Sequence, residues 1–112
     1  MFPKSYERRY KLLTSKQRSI LKAIGNRLEP IVIIGKSGIT ENLLYQLDDA
    51  LTARELVKGR ILPHQDLNVK EIAVELAEKT GAEIVQTIGR NFIFYRAPKD
   101  NLPSKINWER ER

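Results

Sequence analysis

The chain has 112 residues, 41% hydrophobic and 30% charged, which suits one soluble globular domain whose core can form without staples. It has no cysteine, which excludes disulfides and Cys-based metal sites, and no membrane-length apolar run or secretory leader pattern, so a cytoplasmic location is expected. Twenty Lys and Arg against 14 Asp and Glu give a net charge of +6, which favours an anionic partner, although residues 14–97 carry twelve basic and ten acidic side chains and are nearly balanced. Residues 1–12 mix aromatics with bases (Phe2, Lys4, Tyr6, Arg8, Arg9, Tyr10, Lys11) and read as an N-terminal arm.

Thr14-Ser15-Lys16-Gln17 has capping-box spacing, and Ile20, Leu21, Ile24 and Leu28 then recur on one helical face, which predicts a helix over 15–28 that Pro30 stops. Ile31-Val32-Ile33-Ile34 is a β-branched run without alternation and reads as a strand covered on both faces. Gly35-Lys36-Ser37-Gly38 is a turn, and Thr40 caps a second helix over 41–53 with Leu43, Leu44, Leu47, Ala50 and Leu51 inward. Residues 56–62 form a strand with Lys58 and Arg60 on one face and Val57 and Ile61 on the other; Gly59, on the inward face, suggests a bulge or a close neighbour. Asn68 and Glu71 open a third helix over 69–80 that Gly81 ends in a left-handed turn. Strands 82–88 and 92–96, joined through Gly89-Arg90-Asn91, make a hairpin, and a tail from Pro98 carries the single Trp108, either docked on the body or free. The result is an α/β order, α-β-α-β-α-β-β, with a right-handed parallel crossover from 31 to 62 and a four-stranded mixed sheet.

The glycine loop is where chemistry concentrates. Glycines let main chain approach a ligand closely, and the following helix presents unpaired N–H groups and the positive end of its dipole, which suits phosphate. Lys36 adds a mobile charge at the tip. Taken alone, the tetrapeptide fits a plain strand-to-helix turn somewhat better than a binding loop. It is not a Walker A loop, because the glycine required five positions before Gly35 is Pro30 and a strand fills the interval. Charge placement shifts the balance toward an anion. The first helix carries Lys16, Arg18, Lys22 and Arg27 with no acidic residue, and Arg18 and Lys22 form a like-charge pair one turn apart that an anion would relieve. The third helix is acidic through Glu71, Glu75 and Glu78. Glu41, Asp48 and Asp49 read as solvated helix charges, His64 is the only histidine, and no catalytic or metal-ligand spacing emerges, so no enzyme and no cofactor are expected.

The segments 13–18 and 28–40, then Leu47-Asp48-Asp49-Ala50-Leu51, Arg54-Glu55-Leu56-Val57-Lys58, Gly81-Ala82-Glu83-Ile84-Val85-Gln86 and Ile88–Arg96, resemble in order the bacterial YhbY family of stand-alone CRM domains (chloroplast RNA splicing and ribosome maturation). The resemblance covers roughly residues 13–97, leaving 1–12 and 98–112 as extensions. It implies a fold similar to the C-terminal domain of translation initiation factor three, and RNA binding, in bacteria to structured ribosomal RNA of large-subunit precursors. Site residues carried over are Gly35, Lys36, Ser37 and Gly38, supported by Lys16, Arg18 and Lys22, with Arg90 a weaker candidate that could equally be solvated. Gly59 departs from the pattern, where a larger β-branched residue is expected, and suggests a bulged or looser second strand. A monomer acting by electrostatic positioning on RNA is the leading reading. The alternative is a protein-interaction module recruited to ribosomal particles through a ribosomal protein.

Overall fold

A computed structural model describes residues 13–64, 67–99 and 102–108; the expected arm at 1–12 lies outside the described residues. The elements follow the predicted order: α1 (Ser15–Asn26), β1 (Val32–Ile34), α2 (Glu41–Arg54), β2 (Leu56–Ile61), α3 (Val69–Thr80), β3 (Glu83–Ile88) and β4 (Asn91–Tyr95). The sheet order is β1-β2-β4-β3; β1 and β2 are parallel, and β4 is antiparallel to both its neighbours. No described helix is long and apolar enough to cross a membrane.

Each helix starts where a side chain can satisfy its orphan N–H groups. Thr14 and Gln17 form the reciprocal capping box at 3.0 and 3.1 Å, Thr40 accepts from the Leu43 N–H, and Asn68 accepts from the Glu71 N–H. α1 closes at Asn26, with two tightened turns beyond it, Arg27 N–H to Ile24 and Leu28 N–H to Gly25. Gly81 ends α3 at φ 70 as expected.

The sheet separates two cores. α2 and α3 cover one face, where Leu47, Leu51, Ala73 and Leu76 meet Val32, Ile34, Val57, Ile61, Phe92 and Phe94. α1 covers the other face, where Leu21 meets Leu56, Val85, Ile93 and Tyr95, and Ile106 and Trp108 of the tail complete the cluster. Trp108 therefore docks, its ring edge-on to Tyr95 with centroids 5.9 Å apart.

Three expectations need correction. β1 is not covered on both faces: Val32 and Ile34 are buried, but Ile31 and Ile33 are 36% and 46% exposed. β1 is an edge strand, and α1 lies across β2, β3 and β4 instead. Gly59 marks neither a bulge nor looseness but the close neighbour that was the other reading of it: a Cβ there would collide with the Phe92 ring, which fills the space. The bulge is in β3, where the register shifts between Ile84 and Gln86. Finally, Asp48 is not a solvated charge. It pairs at 2.7 Å with Arg96, which is only 2% exposed and also donates to the Thr80 carbonyl and the Thr52 hydroxyl.

Candidate nucleic-acid interface

β1 delivers the chain to one end of the sheet, where the Leu62 N–H donates to the Ile34 carbonyl at 2.8 Å. There the Gly38 N–H donates to the Gly35 carbonyl at 2.9 Å and closes a tight turn with Lys36 and Ser37 exposed at its tip. The two glycines serve different needs. Gly38 sits at φ +68, a conformation L side chains rarely adopt. Gly35 has no such backbone demand, and a Cβ there would meet nothing within 4 Å. Folding does not require a glycine at 35; its bareness leaves open main chain at the surface. Thr40 uses its hydroxyl to cap Leu43, so the N–H groups of Glu41 and Asn42 have no partner within α2 and lie at the positive end of its dipole.

The structure divides the remaining predicted residues. Arg90 is brought to the loop's end of the sheet, where its Nε donates to the Ile61 carbonyl at 2.7 Å and its Nη2 to the Leu62 carbonyl at 2.9 Å. It closes the end of β2 instead of standing in solvent. Arg18 lies at the opposite end, beside the start of β3. Its Nη1 donates to the carbonyls of Ile84 and Val85, at 2.8 and 3.3 Å, and its Nη2 pairs with Glu83 at 3.2 Å. Those carbonyls belong to the bulge, where the ladder is interrupted and acceptors need another donor. The repulsion expected between Arg18 and Lys22 is thus compensated by Glu83, and it carries no argument for a bound anion. Lys16 is exposed and Lys22 half-exposed on the outer side of α1.

Two cations outside the predicted site gain weight from the fold. Lys58 and Arg60 emerge from β2 on the α1 side of the sheet, where register sets Arg60 beside Ile33 and Asn91. Arg60 is exposed, one residue from the end of β2 and on the loop's side of the sheet. The alternation of Lys58 and Arg60 was visible in sequence; that α1 would leave this corner open was not. The acidic residues of α3, Glu71, Glu75 and Glu78, are exposed on the opposite layer, so the two faces of the sheet differ in sign.

A model of the CRS1/YhbY (CRM) domain family matches residues 13–96. The chain is 34% identical over 90 residues to "Probable RNA-binding protein YqeI" of Bacillus subtilis, an alignment covering 80% of this chain and 94% of the relative. It is 33% identical over 97 residues to an "RNA-binding protein" of Haemophilus influenzae, covering 83% and 97% of the two chains. Among solved structures, it is similar to the Staphylococcus aureus protein SAV1595, described as a candidate RNA-binding protein, with a TM-score of 0.70 and 40% identity over 85% of this chain and 99% of that one.

Proposed function

Because the chain belongs to the CRS1/YhbY (CRM) domain family, we propose that it binds RNA through the loop Gly35–Gly38, acting without catalysis as an assembly factor on structured ribosomal RNA of the large subunit. The observation that carries the loop assignment is Gly35, a glycine that neither backbone conformation nor packing requires. Main chain bared there, with the start of α2 behind it and Lys36 at the tip, is a cradle for phosphate. Arg60 and Lys58 extend the positive surface on one side of the loop; Lys22 and Lys16 extend it along α1. Arg18 is a structural tie and is left out of this surface, and Arg90 shapes the loop's end of the sheet through its carbonyl contacts. Phosphate contacts hold and orient without reading sequence, so selectivity comes from RNA shape.

The test is fluorescence anisotropy of labelled large-subunit ribosomal RNA fragments in a salt series, with wild type and a folded Lys36→Glu variant. The expected result is an affinity that falls steeply with salt, with a logarithmic slope of about −0.7 to −0.9 per phosphate contact, and a markedly weaker variant. Weak, salt-insensitive binding that the substitution does not alter would defeat the proposal and point to a protein partner on the particle. Wild-type binding that is equally strong for unrelated structured RNA would remove the ribosomal part and leave RNA binding.

A further inference from the structure

On the α1 side of the sheet, away from the glycine loop, the starts of β1 and β2 and the C-terminal segment frame a cleft of about 420 Å³. Leu56 and Ile106 contribute apolar lining, while Arg27, Arg54, Lys58 and Lys105 supply four cations against one carboxylate, Glu29. These cations come from four separate stretches of chain: the end of α1, the end of α2, β2 and the tail. No run of basic sequence announces them.

The tail's contribution is fixed by a buried group. Glu55 is 3% exposed and holds φ 71, unusual for a residue other than glycine. Its carboxylate accepts the Ser104 hydroxyl and the Lys105 N–H, both at 2.7 Å. Lys105 is therefore held beside the cleft by its own backbone, which leaves its ammonium available. Residues 104–108 lie beyond the family match, which ends at 96.

The cleft is also continuous with the loop. The Ile31 N–H donates to the Lys58 carbonyl at 3.0 Å, and Ile33 pairs in register with Arg60. Moving along β2 from the cleft, Lys58 and Arg60 follow at two-residue spacing, about 6.6 Å by the rise of a strand, and Lys36 stands beyond them at the loop. Exposed Ile31 and Ile33 run beside these cations and offer apolar surface to riboses and bases. A line of single positive charges on the sheet face suits an extended polyanion lying across it.

We propose that this cleft is a second phosphate-binding site for the RNA strand held at the loop, built jointly by the family domain and the C-terminal segment, with Arg54 and Lys105 at its far end. The proposal rests on the RNA-binding reading above and extends its footprint.

Two labelled single-stranded RNAs test it by anisotropy. One has about six nucleotides, slightly more than the four a glycine-loop clamp holds, and the other about twelve. The Arg54→Gln/Lys105→Gln double variant is expected to bind the longer RNA about tenfold more weakly, with a salt slope flatter by about 1.4 for two lost contacts. Its affinity for the shorter RNA stays at the wild-type value, whereas Lys36→Glu weakens both. A double variant that binds the longer RNA with wild-type affinity and slope, beside a weakened Lys36→Glu, overturns the cleft and leaves the loop standing. Full binding by Lys36→Glu as well overturns both; no binding of either RNA by wild type overturns the cleft, which needs an extended strand, and leaves the loop to the structured-RNA test above. Thermal unfolding accompanies each variant, and if Arg54→Gln unfolds early, Lys105→Gln alone is read in the same comparison, with a slope flatter by about 0.7 for one lost contact.

Discussion

Replacing each loop glycine with aspartate separates folding from binding. At Gly35 a Cβ meets no atom within 4 Å and the backbone is not left-handed, so the new side chain projects into open space. Stability should then stay within about 0.5 kcal/mol of wild type, with a small favourable contribution from reduced freedom of the unfolded chain. At Gly38 the nearest atom, Leu67 Cδ2, is 3.8 Å away, an ordinary contact, so the cost there comes from φ +68 and not from collision. That conformation costs an L residue about 1–2 kcal/mol, and aspartate is among the more tolerant, so Gly38→Asp should lower the melting temperature by roughly 5–10 °C. RNA binding should fail in both. A carboxylate about 4 Å from a phosphate costs about 1 kcal/mol in a water-like medium and about 4 kcal/mol at an effective dielectric of 20. The expected loss at low salt is therefore about five-fold to several hundred-fold, shrinking as salt screens the repulsion. Circular dichroism melts give the first quantity and anisotropy in a salt series the second. A Gly35→Asp protein that melts like wild type and binds RNA equally well at low salt would refute the loop as the contact.

The remaining predictions concern how the body is held together. Asp48→Ala leaves the Arg96 guanidinium buried without its carboxylate and should destabilise by about 3–5 kcal/mol in denaturant unfolding; a loss under 1 kcal/mol would mean that the pair is not formed. Arg18→Gln should cost about 1–3 kcal/mol by stripping the bulge carbonyls of their donor, with unchanged RNA affinity where the protein is folded. Arg60→Gln should do the reverse, leaving the melt in place while flattening the salt slope by about 0.7. Tyr95, desolvated by burial and facing the negative charge of Glu55, has its phenol held far above the ordinary tyrosine range. Because the fold favours the neutral phenol, its contribution is fully present below about pH 10, where the unfolded chain's tyrosines ionise, and is lost as pH rises beyond it. Stability measured against alkaline pH should therefore fall in wild type and fall less in Tyr95→Phe; identical curves would remove Tyr95 as the cause.

Local signals were legible because local physics decides them. A hydroxyl or amide at an N-cap, a glycine at φ +70 after α3 and apolar spacing along each helix act within a turn or two, and Thr14, Thr40, Asn68 and Gly81 do what their positions suggest. What failed was long-range. An unbroken apolar run at Ile31–Ile34 looks the same whether a helix covers both faces or one, and only the placement of α1 over β2–β4 decides it. Gly59 signalled a bulge or a close neighbour, and the neighbour was right, but which of the two held and that it is the Phe92 ring depend on a strand more than thirty residues away. In the candidate site, the loop was readable as a motif, whereas the contributions of Lys58, Arg60 and Lys105 depend on which surfaces the helices and tail leave open.

The division of the basic residues follows from the chemistry of their heads. Arg18 bridges two carbonyls at the β3 bulge, Arg90 two at the end of β2, and Arg96 ties the Thr80 carbonyl at the end of α3 to the carboxylate and carbonyl of Asp48 within α2. At the bulge, the end of β2 and the end of α3 regular pairing stops and acceptors would otherwise be stranded, and a planar fork with several donors can satisfy two partners at once. Lysine, a single hydrated charge on a flexible stem, is poorly suited to that task and well suited to following a mobile phosphate. Lys16, Lys22, Lys36, Lys58 and Lys105 are accordingly at the surface in full or in part. A sequence count treats these eight cations alike; the fold commits the three arginines to its own carbonyls and presents the five lysines outward. The salt dependence of RNA binding should therefore respond to substitution of the lysines and of Arg60, and stability to substitution of Arg18, Arg90 and Arg96.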